Sequence, residues 1–404
     1  MQKITDFIKK ETVLTIATAL AVASAFWVHP GPQYVGYIDW RVLGILLSLM
    51  LIVAGFQSNG LFDAIGSRLL AKTKNTAQLM LVLVFLCFFS SMFITNDVAL
   101  LTFVPFAVAV LQAAGLTENL IFVIVMQTIA ANLGSMLTPL GNPQNLYLYG
   151  KAGIGIAEFL KIMLPYTVCA FALLMAWIGL ASIVRKRKLS HDGKTEIKQN
   201  KGLDSAEGKA STKRQKDPLG ASGSKWEKKD AEWIEKFTAY LILFVISLLA
   251  VSHILPYGVS FALVFLYLLL RDRKILTQVD YSLLCIFIAL FIFIGNLGRI
   301  PAFSQLLSDI LTGREVVTSV IASQVMSNVP AAILLSGFTD HIRELVIGTN
   351  LGGLGTLIAS MASLISFKYV AREDRSFRGR YFLEFTVANV IFLFIMMILY
   401  RLLS

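Results

Sequence analysis

The sequence predicts an all-α polytopic membrane protein built as an inverted-topology repeat, each unit carrying a re-entrant hairpin and a discontinuous transmembrane helix. Three observations predict it. The 404 residues are 56% hydrophobic and 15% charged, with a mean hydropathy of +0.71, which leaves too few charges and too many long apolar runs for a soluble chain. Between apolar runs, Ala131 to Asn145 holds two prolines, two glycines and three asparagines, so a stretch long enough to cross a bilayer cannot be continuous helix. A second stretch, Thr349 to Thr356, repeats Asn-Leu-Gly, and Thr138 and Thr356 each follow their asparagine, Asn132 or Asn350, by six residues. Unwound backbone at membrane depth is tolerated where it lines a site, and paired breaks in two halves point to the binding site of a secondary transporter. A β-barrel is excluded, because barrels show alternating ten-residue segments and here Leu, Ile, Val and Phe run together for most of twenty.

Residues 1–38 form an amphipathic start, with Lys3, Lys9 and Lys10, and a first span at 12 to 29. No small-x-small cleavage site follows it, so a cleaved signal peptide is not expected. Further spans fall at 39 to 56, 158 to 184, 235 to 254, 256 to 270, 281 to 297 and 381 to 403, by the length a helix needs to cross the hydrocarbon core. Two apolar regions are not simple spans. Each has a polar tripeptide, Thr95-Asn96-Asp97 or Ser327-Asn328-Val329, followed by a broken helix. The arms of the second tripeptide, about 316 to 326 and 330 to 339, are too short for a core of ~30 Å at 1.5 Å per residue, which predicts re-entrant hairpins. The first unit therefore covers 39–184, with a hairpin at 77–114 and a broken helix at 119–149. Residues 185–233 are a basic linker, 234–271 hold two connecting spans, and the second unit covers 280–404, with a hairpin at 315–339 and a broken helix at 343–367.

The distribution of Lys and Arg sets the orientation. With Lys9 and Lys10 in the cytoplasm, Arg68, Lys72, Lys74, the Arg185 to Lys188 cluster, Arg271, Arg273, Lys274, Lys368, Arg372, Arg375, Arg378 and Arg380 all fall on the same face. The linker is then cytoplasmic, the C-terminus is outside, and the second unit begins on the opposite side from the first. The net charge of +11 does not imply nucleic acid, because residues 185–230 hold 14 Lys and Arg against 7 Asp and Glu and leave only +4 elsewhere. Cys87, Cys169 and Cys285 lie in apolar runs without paired or metal-ligand spacing, so neither a disulfide framework nor a metal centre is expected.

Four motifs in order, Thr95 to Pro105 (Thr-Asn-Asp-x-Ala-Leu-Leu-x-x-x-Pro), Asn132 to Pro143 (Asn-Leu-Gly with Thr-Pro-x-Gly-Asn-Pro), Ser327 to Pro330 and Thr349 to Gly353, resemble those of the ion transporter superfamily. Within it the chain is similar to the arsenite permeases and citrate-transporter-like anion permeases, relatives of the sodium/divalent-anion symporters. The resemblance implies two hairpin tips meeting two broken helices near mid-membrane, one anion site flanked by cation sites, elevator-type alternating access in the cell membrane, and a homodimer. Residue by residue it assigns substrate or ion binding to Thr95, Asn96, Asp97, Asn132, Gly134, Thr138, Gly141 and Asn142, and to Ser327, Asn328, Thr349, Asn350, Gly352 and Thr356. Na⁺ is expected at Asn96, Asp97 and Asn328. The physical reading agrees: half-helix N-termini suit an anion, unwound carbonyls suit Na⁺ or a proton carrier, and asparagine supplies both donor and acceptor.

Asp97 is the sharpest position, because an ionisable group inside a membrane usually marks an ion pathway. It binds the coupling cation, carries the coupling proton, caps the return arm or pairs with a buried base. The tips depart from the Ser-Asn-Thr of the dicarboxylate branch, having Asp97 and Val329 at the third position. No interior Arg or Lys offers an anion clamp, since Lys161, Arg299 and Arg343 lie near span ends. Glu384 beside Arg380, His29, His253 and the Asp340, His341, Arg343, Glu344 connector read as interfacial. No nucleotide-binding or hydrolytic motif is present, so the chain is not expected to be an enzyme and needs no cofactor beyond the coupling ion. The expected function is secondary active transport of a small anion. The alternatives are a Na⁺/H⁺ antiporter, an arsenite efflux permease working with a separate ATPase, and a membrane-embedded protein that transports nothing.

Overall fold

The computed structural model describes residues 11–70, 72–196, 223–373 and 376–404, and every regular element among them is helical. Helix α1 (Thr12–Ser24) and the short α2 (Gln33–Tyr37) lead to α3 (Trp40–Ser58). The Asp39 carboxylate accepts from the backbone N–H of Val42 at 3.0 Å, which satisfies one of the orphan donors that start α3. After α4 (Leu61–Leu70), α5 (Thr76–Ser90) begins at a capping pair in which Asn75 accepts from the Gln78 N–H and the Gln78 side chain accepts from the Lys74 N–H, both at 2.9 Å. Helix α6 (Asn96–Ala113) returns, and α7 (Leu120–Gly134) leads through a break to α8 (Pro143–Ala152). Pro143 stands at the first helical position, where its missing N–H has no intrahelical partner to lose. Helix α9 (Ile156–Glu196) closes this set.

Helices α10 (Gly223–Val251) and α11 (Tyr257–Arg271) connect to a second set in the same order. It comprises α12 (Ser282–Leu297), α13 (Pro301–Leu311), α14 (Glu315–Met326), α15 (Asn328–Leu335), α16 (Ile342–Leu351), α17 (Met361–Glu373) and α18 (Phe377–Leu403). The expected hairpins thus correspond to α5 with α6 and α14 with α15, and the expected broken helices to α7 with α8 and α16 with α17. Six helices among the described residues are long and apolar enough to cross a membrane, or seven if α12 and α13, bent by 105°, count as one span. Helices α1 and α11, expected as full spans, have only 13 and 15 residues, short of the ~20 a perpendicular crossing needs. Helix α9 runs on to Glu196 and α10 starts at Gly223, so helix enters the predicted linker from both sides. The charges of that segment signalled a membrane boundary, but Lys, Arg and Glu are good helix formers and do not end a helix. The predicted Met1–Lys10 segment and the middle of the linker lie outside the described residues.

Helix α7 is the axis of the molecule, with all fifteen of its residues buried. A helix apolar on every side belongs inside protein, and α7 is enclosed by α5, α6, α9, α17 and α18. The two broken helices exchange partners across the molecule. Helix α8 packs on α15 and α16, while α17 packs on α6 and α7. The first spans of the two sets are held separately, α3 by α10 and α11 and α12 by α1. Helix α3 runs antiparallel to α10: Arg41 donates to the Ala250 carbonyl at 3.3 Å at one end, and at the other Asn59 and Trp233 exchange bonds at 3.2 and 2.8 Å.

Candidate functional site

The tripeptides and the breaks meet in one buried cluster of amides and hydroxyls. At the first tip the backbone N–H of Asn96 donates to the Gly141 carbonyl in the first break at 3.1 Å, and at the second tip the N–H of Asn328 donates to the Ala359 carbonyl in the second break at 2.9 Å. Aligning the sets on Asn132 and Asn350 places Gly141 opposite Ala359, so the same bond forms twice. The Asn96 side chain also reaches the second break: its Nδ2 donates to Asn132 Oδ1 at 2.9 Å and lies 3.5 Å from Ser360 Oγ. Both tips therefore touch the adjacent residues Ala359 and Ser360.

Asn132 is the hub, with 3% of its surface exposed. Its Oδ1 accepts from Asn96 and from Ser360 Oγ at 3.0 Å, and its Nδ2 donates to the Gly353 carbonyl and to Ser363 Oγ, both at 3.4 Å. Asn350, its counterpart, donates to Asn145 Oδ1 at 2.6 Å and to the Val346 carbonyl at 2.7 Å, while its Oδ1 is buried without a partner. Each asparagine thus crosses to the other broken helix, but only the first is saturated. Asn142 donates to Ser135 Oγ at 2.6 Å, and Asn145 donates to the carbonyls of Ser135 and Thr138 at 3.3 and 3.2 Å. The second tip carries strain, because Ser327 adopts φ 75° and ψ 154°, a region nearly reserved for glycine and worth ~1–3 kcal/mol at functional sites.

The predicted glycines serve close approach. A Cβ on Gly134 would strike the Phe88 carbonyl, one on Gly352 would lie 2.6 Å from Ser323 Oγ, and one on Gly141 would strike the Ser135 carbonyl. The hairpin arms can therefore lie directly against the breaks. Four predicted residues keep their side chains outside the amide cluster. The Thr138 hydroxyl donates to the Met92 carbonyl, and Thr356 is tied to Gln324, through its N–H at 2.9 Å and its hydroxyl at 3.3 Å. These threonines lash each break to the outgoing hairpin arm, and Thr356 is exposed. The Thr349 hydroxyl bonds within its own helix to the Leu345 carbonyl at 2.7 Å. Thr95 lines an apolar slot between α3 and the first tip, together with Leu46, Met50, Phe93, Val98 and Leu146.

Asp97, the last residue of the first tip, is half-buried, its N–H accepted by Asn96 Oδ1 at 2.9 Å. Its carboxylate has neither hydrogen-bond nor ion-pair partner among the described residues, so neither a cap nor a buried base holds it. No group of three His, Cys, Asp or Glu that could hold a metal occurs among those residues. For Na⁺ the donor set Asn96, Asp97 and Asn328 is chemically apt, all oxygen, although Asn96 Oδ1 is already engaged. The motifs alone do not single out Ser135, Asn145, Ser360, Ser363 or Gln324. Gln324 donates to the carbonyls of Gly352 and Leu354 at 3.0 and 2.9 Å and so holds the second break open in a fixed shape.

The profile of the citrate transporter family matches residues 7–344. The inner membrane protein YbiR of Escherichia coli is 28% identical over 377 residues, covering 90% of this chain and 88% of that protein. An uncharacterized transporter of Methanocaldococcus jannaschii is 29% identical over 335 residues, covering 82% and 81%. The silicon efflux transporter LSI3 of Oryza sativa is 29% identical over a shorter stretch of 128 residues, covering 32% and 26%.

Proposed function

The chain belongs to the citrate transporter family, and from that premise we propose that it is a secondary active transporter moving a small inorganic or organic anion, coupled to Na⁺ or H⁺, by elevator-type alternating access. It is a multi-pass membrane transporter of the citrate and arsenite permease type and not an enzyme. The single observation that carries the proposed reading is the convergence of both tips on the adjacent residues Ala359 and Ser360, around an asparagine hub whose partners among the described residues are an amide, two hydroxyls and a backbone carbonyl. A site of amides, hydroxyls and half-helix ends binds an anion through dipoles and releases it readily.

The recurrence of the α3–α9 order in α12–α18 and the paired tip-to-break bonds support the inverted repeat. Arms of 12 and 8 residues in α14 and α15 support a re-entrant second hairpin. The exchanged packing of α8 and α17 makes the hairpins and breaks one unit, and the apolar slot between that unit and α3 offers a face on which it slides. On this reading the N-terminus and residues 185–233 are cytoplasmic, the C-terminus is outside, and the partners are the bilayer and a second copy. The unpartnered Asp97 carboxylate favours one further reading, Na⁺/H⁺ antiport on the same fold.

Flux in proteoliposomes separates the two. Labelled citrate or arsenite driven inward by a Na⁺ or pH gradient is the expected result. Dissipation of a pH gradient by Na⁺ with no anion required establishes antiport instead, and absence of gradient-driven anion flux refutes the anion reading.

A further inference from the structure

One face of α8 carries a polar stripe whose members stand at i, i+3 and i+7: Gln144, Tyr147 and Lys151. These positions share a helix face and rise ~10 Å from first to last. Gln144 is fully buried beside the amide cluster, between Asn142 and Asn145, and neither its Nε2 nor its Oε1 has a partner. Such a pair of orphans is costly and rare in a packed interior. Tyr147 is buried, its hydroxyl 2.8 Å from Ser336 Oγ at the end of α15. Lys151 is exposed and donates to the Ser336 carbonyl. Tyr147 and Lys151 line a cleft of about 480 Å³ whose other walls include Tyr37, Asp39, Gly295 and Gly337.

Both walls of the cleft lead inward to the cluster, since α8 starts at the first break and α15 at the second tip. The Tyr37 hydroxyl is another buried atom without a partner, and the Arg299 guanidinium stands 5.7 Å from the Tyr37 ring centroid. Of the acidic groups at the cleft, Asp39 is engaged as the cap of α3 and Asp340 is exposed. The stripe is not a by-product of the repeated architecture. The corresponding positions on α17 are Ala362, Ile365 and Tyr369, and Val104 corresponds to Ser336.

We propose that the Gln144–Tyr147–Lys151 stripe is the access path between the amide cluster and the cleft, with Lys151 capturing the anion at the mouth and Gln144 its innermost contact. The proposal rests on the anion-transport reading and extends it to residues outside the four motifs. An ammonium has three donors, so Lys151 can hold Ser336 and still meet an anion. A buried amide kept unpaired is a stability cost that a ligand removes on arrival.

The test has two arms. Gly36 is exposed and lines the cleft, and a Cβ at that position would meet no atom within 4 Å, so Gly36→Cys in a chain lacking Cys87, Cys169 and Cys285 places a thiol there without strain. In proteoliposomes that thiol reacts faster with an anionic than with a cationic methanethiosulfonate, and Lys151→Gln lowers the rate ratio about tenfold, the scale of one nearby charge at intermediate dielectric. Lys151→Arg keeps the ratio. In the second arm Gln144→Leu raises the melting temperature, because two orphaned atoms are removed, while raising KM for labelled citrate at least tenfold. A ratio indifferent to Lys151→Gln, or Gln144→Leu with an unchanged KM, overturns the path. If the unsubstituted chain takes up no citrate, the anion-transport reading fails for citrate, and the labelling ratio still decides the path.

Discussion

Asn132 and Asn350 occupy equivalent positions but have different bonding, and replacing each with alanine separates scaffold from site. Asn132→Ala deletes two bonds at 2.9 and 3.0 Å and two at 3.4 Å. Interhelical bonds in membranes average ~0.6 kcal/mol each, and the Asn96 amide and the Ser360 hydroxyl left behind are buried donors that cost ~1–3 kcal/mol apiece when unmet. Partial relaxation brings the expected loss to about 3 kcal/mol. Asn350→Ala deletes one cross-helix bond, to Asn145 at 2.6 Å, and leaves that oxygen unmet, but it also removes the unpaired Asn350 Oδ1. These two effects nearly offset, so the expected loss is about 1 kcal/mol or less. Melting of the purified variants, followed by tryptophan fluorescence and paired with proteoliposome uptake, reads both quantities. Asn132→Ala lowers the midpoint clearly, whereas Asn350→Ala shifts it little and still loses at least tenfold in uptake. Equal destabilisation by the two, or full uptake by Asn350→Ala, refutes the expected substrate- or ion-binding role of Asn350.

Asp97→Asn loses no hydrogen bond from its side chain, so it melts like the parent while its transport loses dependence on Na⁺ or pH; unchanged dependence in inverted vesicles removes Asp97 from coupling. Gly134→Ala sets a methyl against the Phe88 carbonyl, which is backbone and cannot swing away, and costs ~1–3 kcal/mol, seen as reduced monodisperse yield on size-exclusion chromatography. Gly352→Ala meets the Ser323 side chain first, so Ser323→Gly restores its yield, and failure to do so shows that the backbone itself is crowded. Gln324→Ala frees two carbonyls and one N–H of the second break, and hydrogen exchange over residues 352–358 rises about tenfold, as expected for a local loss near ~1.4 kcal/mol.

Composition and breakers carried much of this fold. Glycine, proline and asparagine at Asn132 to Asn145 and at Asn350 to Thr356 mark where helix stops, since their effect on helical backbone is local. The exchange of partners by α8 and α17 was not legible, because an apolar face in a membrane protein matches another helix and lipid equally well. For the same reason Ser135, Ser360 and Ser363 escaped notice: a serine in an apolar run reads as a small packing residue as readily as a donor. Extending the Asn132–Asn350 alignment would have found two of them, since it sets Asn142 against Ser360 and Asn145 against Ser363. The same alignment misleads at Thr138 and Thr356, which match in position yet bind the hairpin arms. Equivalence in a repeat fixes where a residue stands and leaves open which neighbour it meets. Gln144 and Lys151 have no polar counterpart on the matching face of α17 that bonds as they do, so no internal comparison could single them out.

That difference between the halves bears on coupling. Here the first tip carries the one ionisable side chain of the two tripeptides, Asp97, beside a hub whose hydrogen bonds are all made. The second half carries Val329, the strained Ser327 and, on its broken helix, the unfilled Asn350 oxygen. A charge that can be neutralised and an acceptor that can be filled thus lie in opposite halves, and the first tip bonds to Ser360 while the second bonds to its neighbour Ala359. On the proposed reading, filling either position acts on adjoining residues of one segment, so the free energy of occupying one depends on the other. Coupling of this kind is reciprocal in equilibrium binding. The proposed mechanism therefore requires that the transported anion and the coupling cation each raise the other's affinity by the same factor, and that Ser360→Ala diminishes both enhancements together.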